Sequence, residues 1–251
     1  MLRFGRSAKI AAIAFLIAGV AAIGLFQLSR AKCFQLVGEV TCRVQTDERL
    51  VALTFDDGPT DRGVDAVMQA LARHDAKATF FLIGNAIERN PEAVRQLVSA
   101  GHEIGNHSYS HVPNVGRPQA FYREEVERTN AALRSLGVTP RYFRPPYGIR
   151  LIGLSRAVSE AGLHTVMYDV AEPDGSKDSA EDYAANILRE IRPGSIVLIH
   201  AMNSHNRNAR DALPLILEGL AKRGYRAVTV TRLLEAGGKA VTPDAGPSSS
   251  R

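Results

Sequence analysis

From Leu50 to Glu235, short apolar runs rich in β-branched residues alternate with amphipathic stretches, and the alternation recurs roughly every 27 residues. Buried strands separated by helices have few ways to pack other than as a parallel α/β sheet. The candidate strands are residues 50–55, 78–83, 103–105, 142–144, 164–168, 196–199 and 226–229, with helical patterns at 63–74, 91–100, 118–136, 152–161, 180–191 and 209–223. Gly101, Gly137, Gly162 and Gly224 each stand where a helical pattern stops, the position where glycine ends a helix at least cost. A full eight-unit barrel takes about 250 residues, more than the stretch 50–236 offers. The expected fold is therefore α/β, a distorted, incomplete (β/α) barrel with about seven parallel strands. An open doubly wound sheet is the second choice, weakened because no glycine-rich phosphate loop follows the first strand.

The flanks read differently. Residues 10–28 are apolar apart from Gln27 and glycines, and at ~1.5 Å per helical residue they cover roughly one bilayer core. Residues 1–32 are read as a signal-anchor or signal peptide. The apolar run is longer than the ~7–15 residues usual in a signal peptide, which favours a retained anchor. Ser29-Arg30-Ala31 keeps cleavage open as the alternative, and no lipobox precedes Cys33.

The net charge of +5 comes wholly from Arg3, Arg6, Lys9, Arg30 and Lys32, which flank that run without an acidic neighbour. The rest of the chain is formally neutral, so the high isoelectric point is not a nucleic-acid signal. Cys33 and Cys42, the only two cysteines, lie in a lead-in segment, residues 33–49. In an exported chain they are expected to form a disulfide stapling a short hairpin. Residues 237–251, rich in glycine, proline and serine, are expected to be a disordered tail.

Chemistry concentrates where candidate strands end. Thr54-Phe55-Asp56-Asp57-Gly58-Pro59 closes the first strand with two adjacent carboxylates. Asp-Asp-Gly-Pro is ordinary turn chemistry, yet paired carboxylates also suit a metal ligand beside a general base. After the third strand comes His107-Ser108-Tyr109-Ser110-His111; on a helical turn residues i and i+4 share a face, so both imidazoles would meet one cation. Two histidines and a carboxylate form a common catalytic metal site.

Arg144-Pro145-Pro146-Tyr147-Gly148 follows the fourth strand as a stiff loop, suited to aiming a backbone N–H at an oxyanion, with Arg144 placed to pair with Asp56. His200 ends the apolar run of residues 196–199 and has the chemistry of a proton donor. Asp169, Glu172 and Asp174 are the candidates to orient it.

In this order the motifs resemble those of the polysaccharide deacetylases with a NodB-homology domain, carbohydrate esterase family 4, across residues 50–235. The resemblance implies removal of acetyl groups from glycans with a divalent metal, most often Zn2+. Asp57, His107 and His111 match the metal ligands, and Asp56 matches the base. Arg144 matches the residue that orients the base, His200 the general acid and Asp174 its carboxylate partner. Tyr147, Leu198 and Pro145 match substrate-contacting positions, Tyr147 through its backbone N–H.

The chain departs from the family at Gly175, where tryptophan is common, and at Ala171, where aspartate is common; it contains no tryptophan at all. His74, His102, His164 and His205 have no motif partner and are read as structural or solvated. The expected partner is an N-acetylated glycan such as peptidoglycan or a chitin-like polymer, met in the cell envelope by a chain anchored through its N-terminal helix or exported. A non-catalytic glycan-binding member of the fold is the alternative. A carboxylate glycosidase is opposed by the two-histidine pattern.

Overall fold

The computed structural model describes residues 6–173, 179–203 and 205–238. In chain order the elements are α1 (Arg6–Ser29), β1 (Val40–Thr41), β2 (Leu50–Asp56), α2 (Asp61–Arg73), β3 (Thr79–Leu82), α3 (Gly84–Arg89), α4 (Pro91–Ser99), β4 (Glu103–Asn106) and α5 (Gln119–Arg134). There follow β5 (Tyr142–Phe143), α6 (Ile152–Glu160), β6 (His164–Val166), β7 (Val170–Ala171), α7 (Ala180–Glu190), β8 (Ile196–Ile199), α8 (Arg207–Lys222), β9 (Arg226–Val228) and α9 (Val230–Ala236).

The nine strands form one sheet with the path β1-β6-β5-β4-β3-β2-β8-β7, while β9 pairs with β2. Every ladder between named strands is parallel. Strand β2 is the hub. β8 runs along one edge, and the other edge is shared by β9, at Leu50–Ala52, and β3, at Thr54–Asp56. The architecture is thus the incomplete barrel that the alternation predicts.

All seven residues of β2 are buried, because both of its faces are covered. Alternation along a strand sends successive side chains to opposite faces. Val51, Leu53 and Phe55 pack outward with Phe80, Leu82, Val197 and Ile199 under residues of the outer helices, including Leu71, Leu97, Ile187 and Ile216. Burying a side chain such as Phe55 contributes about 1.5–3 kcal/mol, so this layer fixes the register of β2. Leu50 and Ala52 point inward with Phe81, Tyr142, Val166 and Ile196, and α9 plugs that end of the interior with Val230, Leu233 and Leu234. The same alternation continues inward through Thr54 to Asp56, at the end of the barrel where the strands finish.

All seven expected strands and all six expected helices in the body of the domain are present. Two two-residue strands, β1 and β7, and two helices of six and seven residues, α3 and α9, are additional; elements this short carry too few positions for a period to be read. The strand expected over 164–168 stops at Val166 because the carbonyls of Val166 and Met167 turn to accept hydrogen bonds from Arg144. Cys33 and Cys42 form a disulfide. It does not staple a hairpin, however, since β1 pairs in parallel with β6, at the far edge of the sheet.

Candidate functional site

The turn after β2 is gripped from several sides. The Gly58 carbonyl accepts from Ile83 N–H at 3.1 Å, the Pro59 carbonyl accepts from Asn90 Nδ2 at 3.0 Å, and Thr60 caps α2 by accepting from Gly63 N–H at 3.2 Å. Asp57 and Gly58 both have left-handed φ, 69° each. The abrupt change of backbone direction separates two neighbouring carboxylates. Asp56 is buried against Arg144, whereas Asp57 faces His107 and His111.

The two histidines do not share a helical face. Residues 107–112 form an irregular loop, correcting the helical turn expected from their spacing. Ser108 (φ 63°) and His111 (φ 55°) turn that loop through left-handed conformations that non-glycine residues adopt only when their surroundings hold them there.

Its surroundings do hold it. Asn106 Oδ1 accepts from Ser108 N–H at 2.8 Å, and Ser108 Oγ accepts from His111 N–H at 3.2 Å. The buried Glu125 carboxylate of α5 accepts from Tyr109 N–H, Ser110 N–H and Ser110 Oγ at 3.1, 2.9 and 2.7 Å. The carbonyls of Ser108 and Tyr109 accept the first amides of α3, from Gly84 and Asn85, at 2.9 and 3.0 Å. This approach requires glycine at position 84: a Cβ there would lie 2.6 Å from the Tyr109 ring and 2.5 Å from Thr129 Oγ1.

His107 Nδ1 lies 2.7 Å from the Arg144 carbonyl. A carbonyl can only accept, so Nδ1 carries the hydrogen. Burial, the largest influence, holds the His107 pKa below its ordinary value against the pull of Asp56 and Asp57, which favours the neutral ring. Nε2 then presents a lone pair toward Asp57 Oδ1 at 3.8 Å, while His111 Nε2 is 3.2 Å from the same oxygen. That oxygen is buried and receives no hydrogen bond. One donor atom from each of Asp57, His107 and His111 falls within 4.8 Å of the others. Electron pairs converging on an unsatisfied carboxylate oxygen fit a cation, and two imidazoles with one carboxylate suit zinc and similar divalent ions.

Arg144, only 1% exposed, ties the site together. Nη1 donates to Asp56 Oδ1 and to Thr54 Oγ1, both at 2.7 Å, Nε donates to the Val166 carbonyl at 3.1 Å, and Nη2 to that of Met167 at 3.0 Å. The guanidinium also lies over the Phe81 ring, 4.2 Å from its centroid. Burial by itself would raise the Asp56 pKa; the charge of Arg144, with His107 and His200, outweighs it and keeps the carboxyl below the ordinary range.

Across the mouth, His200 follows β8. Its Nδ1 is 2.5 Å from Glu172 Oε1, and its backbone N–H donates to Glu172 Oε2 at 3.0 Å. Tyr183 Oη donates to the same carboxylate. Burial opposes charge on the ring, but the hydrogen bond to Glu172 and the nearby carboxylates of Asp56 and Asp57 prevail and push His200 up to about 9. Asp174, the partner the family resemblance implies, lies outside the described residues. Among the described residues it is Glu172 that holds His200.

Of the other expected residues, Tyr147 is left-handed (φ 58°) and exposed, with its ring centroid 4.8 Å from that of His111. Pro145 leads into that turn in extended backbone. Leu198 is buried in β8, in register with Thr54 on β2 and Ala171 on β7. Glu125 was not legible as a site residue from local sequence. A signal existed, since the buried stripe of α5 mixes Glu125, Thr129 and Asn130 with Tyr122, Val126 and Leu133. Polar residues on a core-facing stripe indicate that the helix covers something polar. His102 is structural, accepting from Ala78 N–H at 3.3 Å and packing edge-on to Phe80.

The polysaccharide deacetylase family model matches residues 43–166. A peptidoglycan-N-acetylglucosamine deacetylase of Bacillus cereus is 36% identical over 188 residues, spanning 74% of this chain and 68% of that protein. Among solved structures, a peptidoglycan N-acetylglucosamine deacetylase bound to a naphthyl N-hydroxybenzamide superposes with a TM-score of 0.74 at 33% identity, covering 77% of this chain and 92% of that one. A carbohydrate esterase family 4 pseudoenzyme from Bacillus anthracis superposes with a TM-score of 0.73 at 26% identity, covering 79% and 70% of the two chains.

Proposed function

Because this chain belongs to the polysaccharide deacetylase family, we propose that it hydrolyses the acetamide of N-acetylated amino sugars in an envelope glycan, with peptidoglycan as the first candidate, and that it depends on a divalent metal. The observation that carries the metal is the buried, unsatisfied Asp57 Oδ1 facing two imidazole nitrogens. Asp57, His107 and His111 would hold the ion. A divalent cation there, zinc suiting the donor set best, supplies a Lewis acid that polarises the acetyl carbonyl and acidifies water.

The chain's own groups divide the proton work. Asp56, kept ionised by Arg144, takes the proton of the attacking water. The Tyr147 backbone N–H donates to the oxygen that gains charge as the carbonyl is attacked, and the left-handed turn is the feature that would aim it. His200, charged through Glu172, gives its proton to the departing sugar nitrogen, so the amine leaves neutral. Pro145 and Leu198 are assigned to the walls that receive the acetyl group.

The apolar N-terminal helix and the disulfide support a place of action outside the cytoplasm, in the envelope. The test is acetate release from defined peptidoglycan fragments, chito-oligosaccharides and acetylated xylan, with and without chelator. Release that is lost with chelator and restored by zinc is the expected result; release indifferent to chelator would defeat the metal. A non-catalytic glycan-binding role is favoured by the departures from the family at Ala171 and Gly175 and by the existence of a pseudoenzyme among the structural relatives. Saturable glycan binding with the metal site filled and no acetate released would establish that role instead.

A further inference from the structure

Helix α1 contains a membrane-length stretch, Lys9–Ser29, of mean hydropathy 2.3, exposed along its length as far as Gln27. The helix meets the domain only at its end, where Leu28 is half-buried and Ser29 buried. There a second buried arginine forms a clasp. Arg150, 4% exposed, donates its backbone N–H to the Ser29 carbonyl at 2.9 Å. Its guanidinium donates to the carbonyls of Ala31, Phe34 and Lys32 at 2.7, 2.9 and 3.4 Å, to Gln35 Oε1 at 3.1 Å, and to the Gly148 carbonyl at 3.2 Å.

The clasp therefore joins the exit of α1 directly to the Tyr147–Gly148 turn at the catalytic mouth. Three residues at ~3.8 Å per step keep the Cα atoms of Arg150 and Tyr147 within about 11 Å of each other. Ser29 and the Ala31 carbonyl both belong to the clasp, so cleavage after Ala31 would remove part of the domain's own packing.

Exposed apolar side chains stand on the segments around this point. Outside α1, the described residues include six exposed large apolar side chains: Phe34, Leu36, Val98, Val115, Tyr147 and Ile152. Phe34 is in the clasped segment, while Val115, Tyr147 and Ile152 lie on segments that follow strand ends β4 and β5. The start of α5, four residues beyond Val115, is tied to the start of α6 by Gln119 Nε2 donating to the Gly153 carbonyl at 3.2 Å. Arg30, Lys32 and Arg117, all exposed, stand on the same segments.

We propose that this rim, Phe34, Val115, Tyr147 and Ile152 with Arg30, Lys32 and Arg117, rests on the outer leaflet of an anionic bilayer, so that the site works on glycan at the membrane surface. The proposal rests on the reading of α1 as a retained membrane span. Continuity argues for a bilayer over any other occupant, because the membrane-length helix leaves from the same rim. Apolar side chains interleaved with basic ones match the headgroup region of anionic lipid.

The absence of tryptophan provides a direct test. The full chain is reconstituted into vesicles of phosphatidylcholine and phosphatidylglycerol containing a dansyl-headgroup lipid. Ile152→Trp places a single donor on the rim, and Val98→Trp, near the end of α4 and hence at the opposite end of the strands, serves as reference. Energy transfer from position 152 is expected to exceed that from position 98 severalfold. In the Ile152→Trp background, replacing Arg30, Lys32 and Arg117 by Gln, or Phe34 and Val115 by Ser, is expected to lower transfer severalfold. All five side chains are exposed, so both sets of replacements leave the fold in place. Equal transfer from the two positions, transfer that survives both sets of replacements, transfer that scales with protein density as contact between copies would, or a chain that fails to float with the vesicles each overturns the proposal. Transfer as expected with no acetate released would instead defeat the deacetylase reading and leave the membrane contact standing.

Discussion

Arg144 Nη1 stands 2.7 Å from Asp56 Oδ1, with both side chains almost wholly buried. Replacing Arg144 by Gln leaves a buried carboxylate without its cation, a change that typically costs about 3–5 kcal/mol. A folded-state pKa below the ordinary carboxylate value stabilises the protein above that value, and the contribution fades as pH falls through the lowered one. Arg144→Gln is therefore expected to lower the denaturant midpoint most at neutral pH and less in acid. It is also expected to move the acid limb of kcat/KM upward. Urea titrations at several pH values and a pH–rate profile measure both effects.

Asp56 and Asp57 are expected to separate under mutation. Asp56→Asn should retain bound zinc while turnover falls by ~10²–10⁴-fold, the scale of a lost general base. His107→Ala should lose both metal and turnover. Metal content by elemental analysis alongside acetate release distinguishes the two. Equal loss of metal in both variants would contradict the division of roles.

Glu172→Gln removes the charge that holds His200 at about 9. Burial then acts on the imidazole with less opposition, and the alkaline limb of the kcat profile should move to lower pH. Stability follows the same sign: a raised histidine pKa favours the fold below the unfolded value, and the contribution is lost as pH rises through about 9. An alkaline limb that stays in place in Glu172→Gln would show that another group holds the imidazole, Asp174 foremost.

Glu125→Gln keeps the shape of the side chain but gives the loop amides a weaker acceptor, and one of its ends is now a donor. Removing a group that orients metal ligands usually costs ~10–100-fold in metal affinity. That loss is expected here, with circular dichroism unchanged, and competition with a chromophoric chelator measures it without recourse to activity.

The fold was legible because β2 and its neighbours are buried on both faces, which leaves an unbroken apolar signature, and because glycines punctuate the helices. The site was legible in its parts, yet some reasons differed from those the spacing suggested. His107 and His111 converge through a loop with left-handed backbone, which nothing in a His-x3-His spacing announces. The carboxylate beside His200 is Glu172, reached because β7 pairs with β8 and brings residue 172 alongside His200, a relationship set by sheet register and not by local sequence. Glu125 acts from a helix 14 positions beyond His111 in sequence, and only a polar interruption in an otherwise core-facing stripe hinted at it.

Among the described residues, no ladder joins β1 to β7, and on that side the isolated Arg43–Ser195 bridge is what links the sheet, so the ladders around the barrel are interrupted there. A closed rim would admit only what fits within its circumference, such as a chain end or a short fragment. An interrupted one would let a polymer enter and leave sideways, with the reacting unit in the middle of the strand. Modification would then fall on internal sugars independently of strand length, and a long glycan would become a patterned copolymer instead of being altered only at its ends.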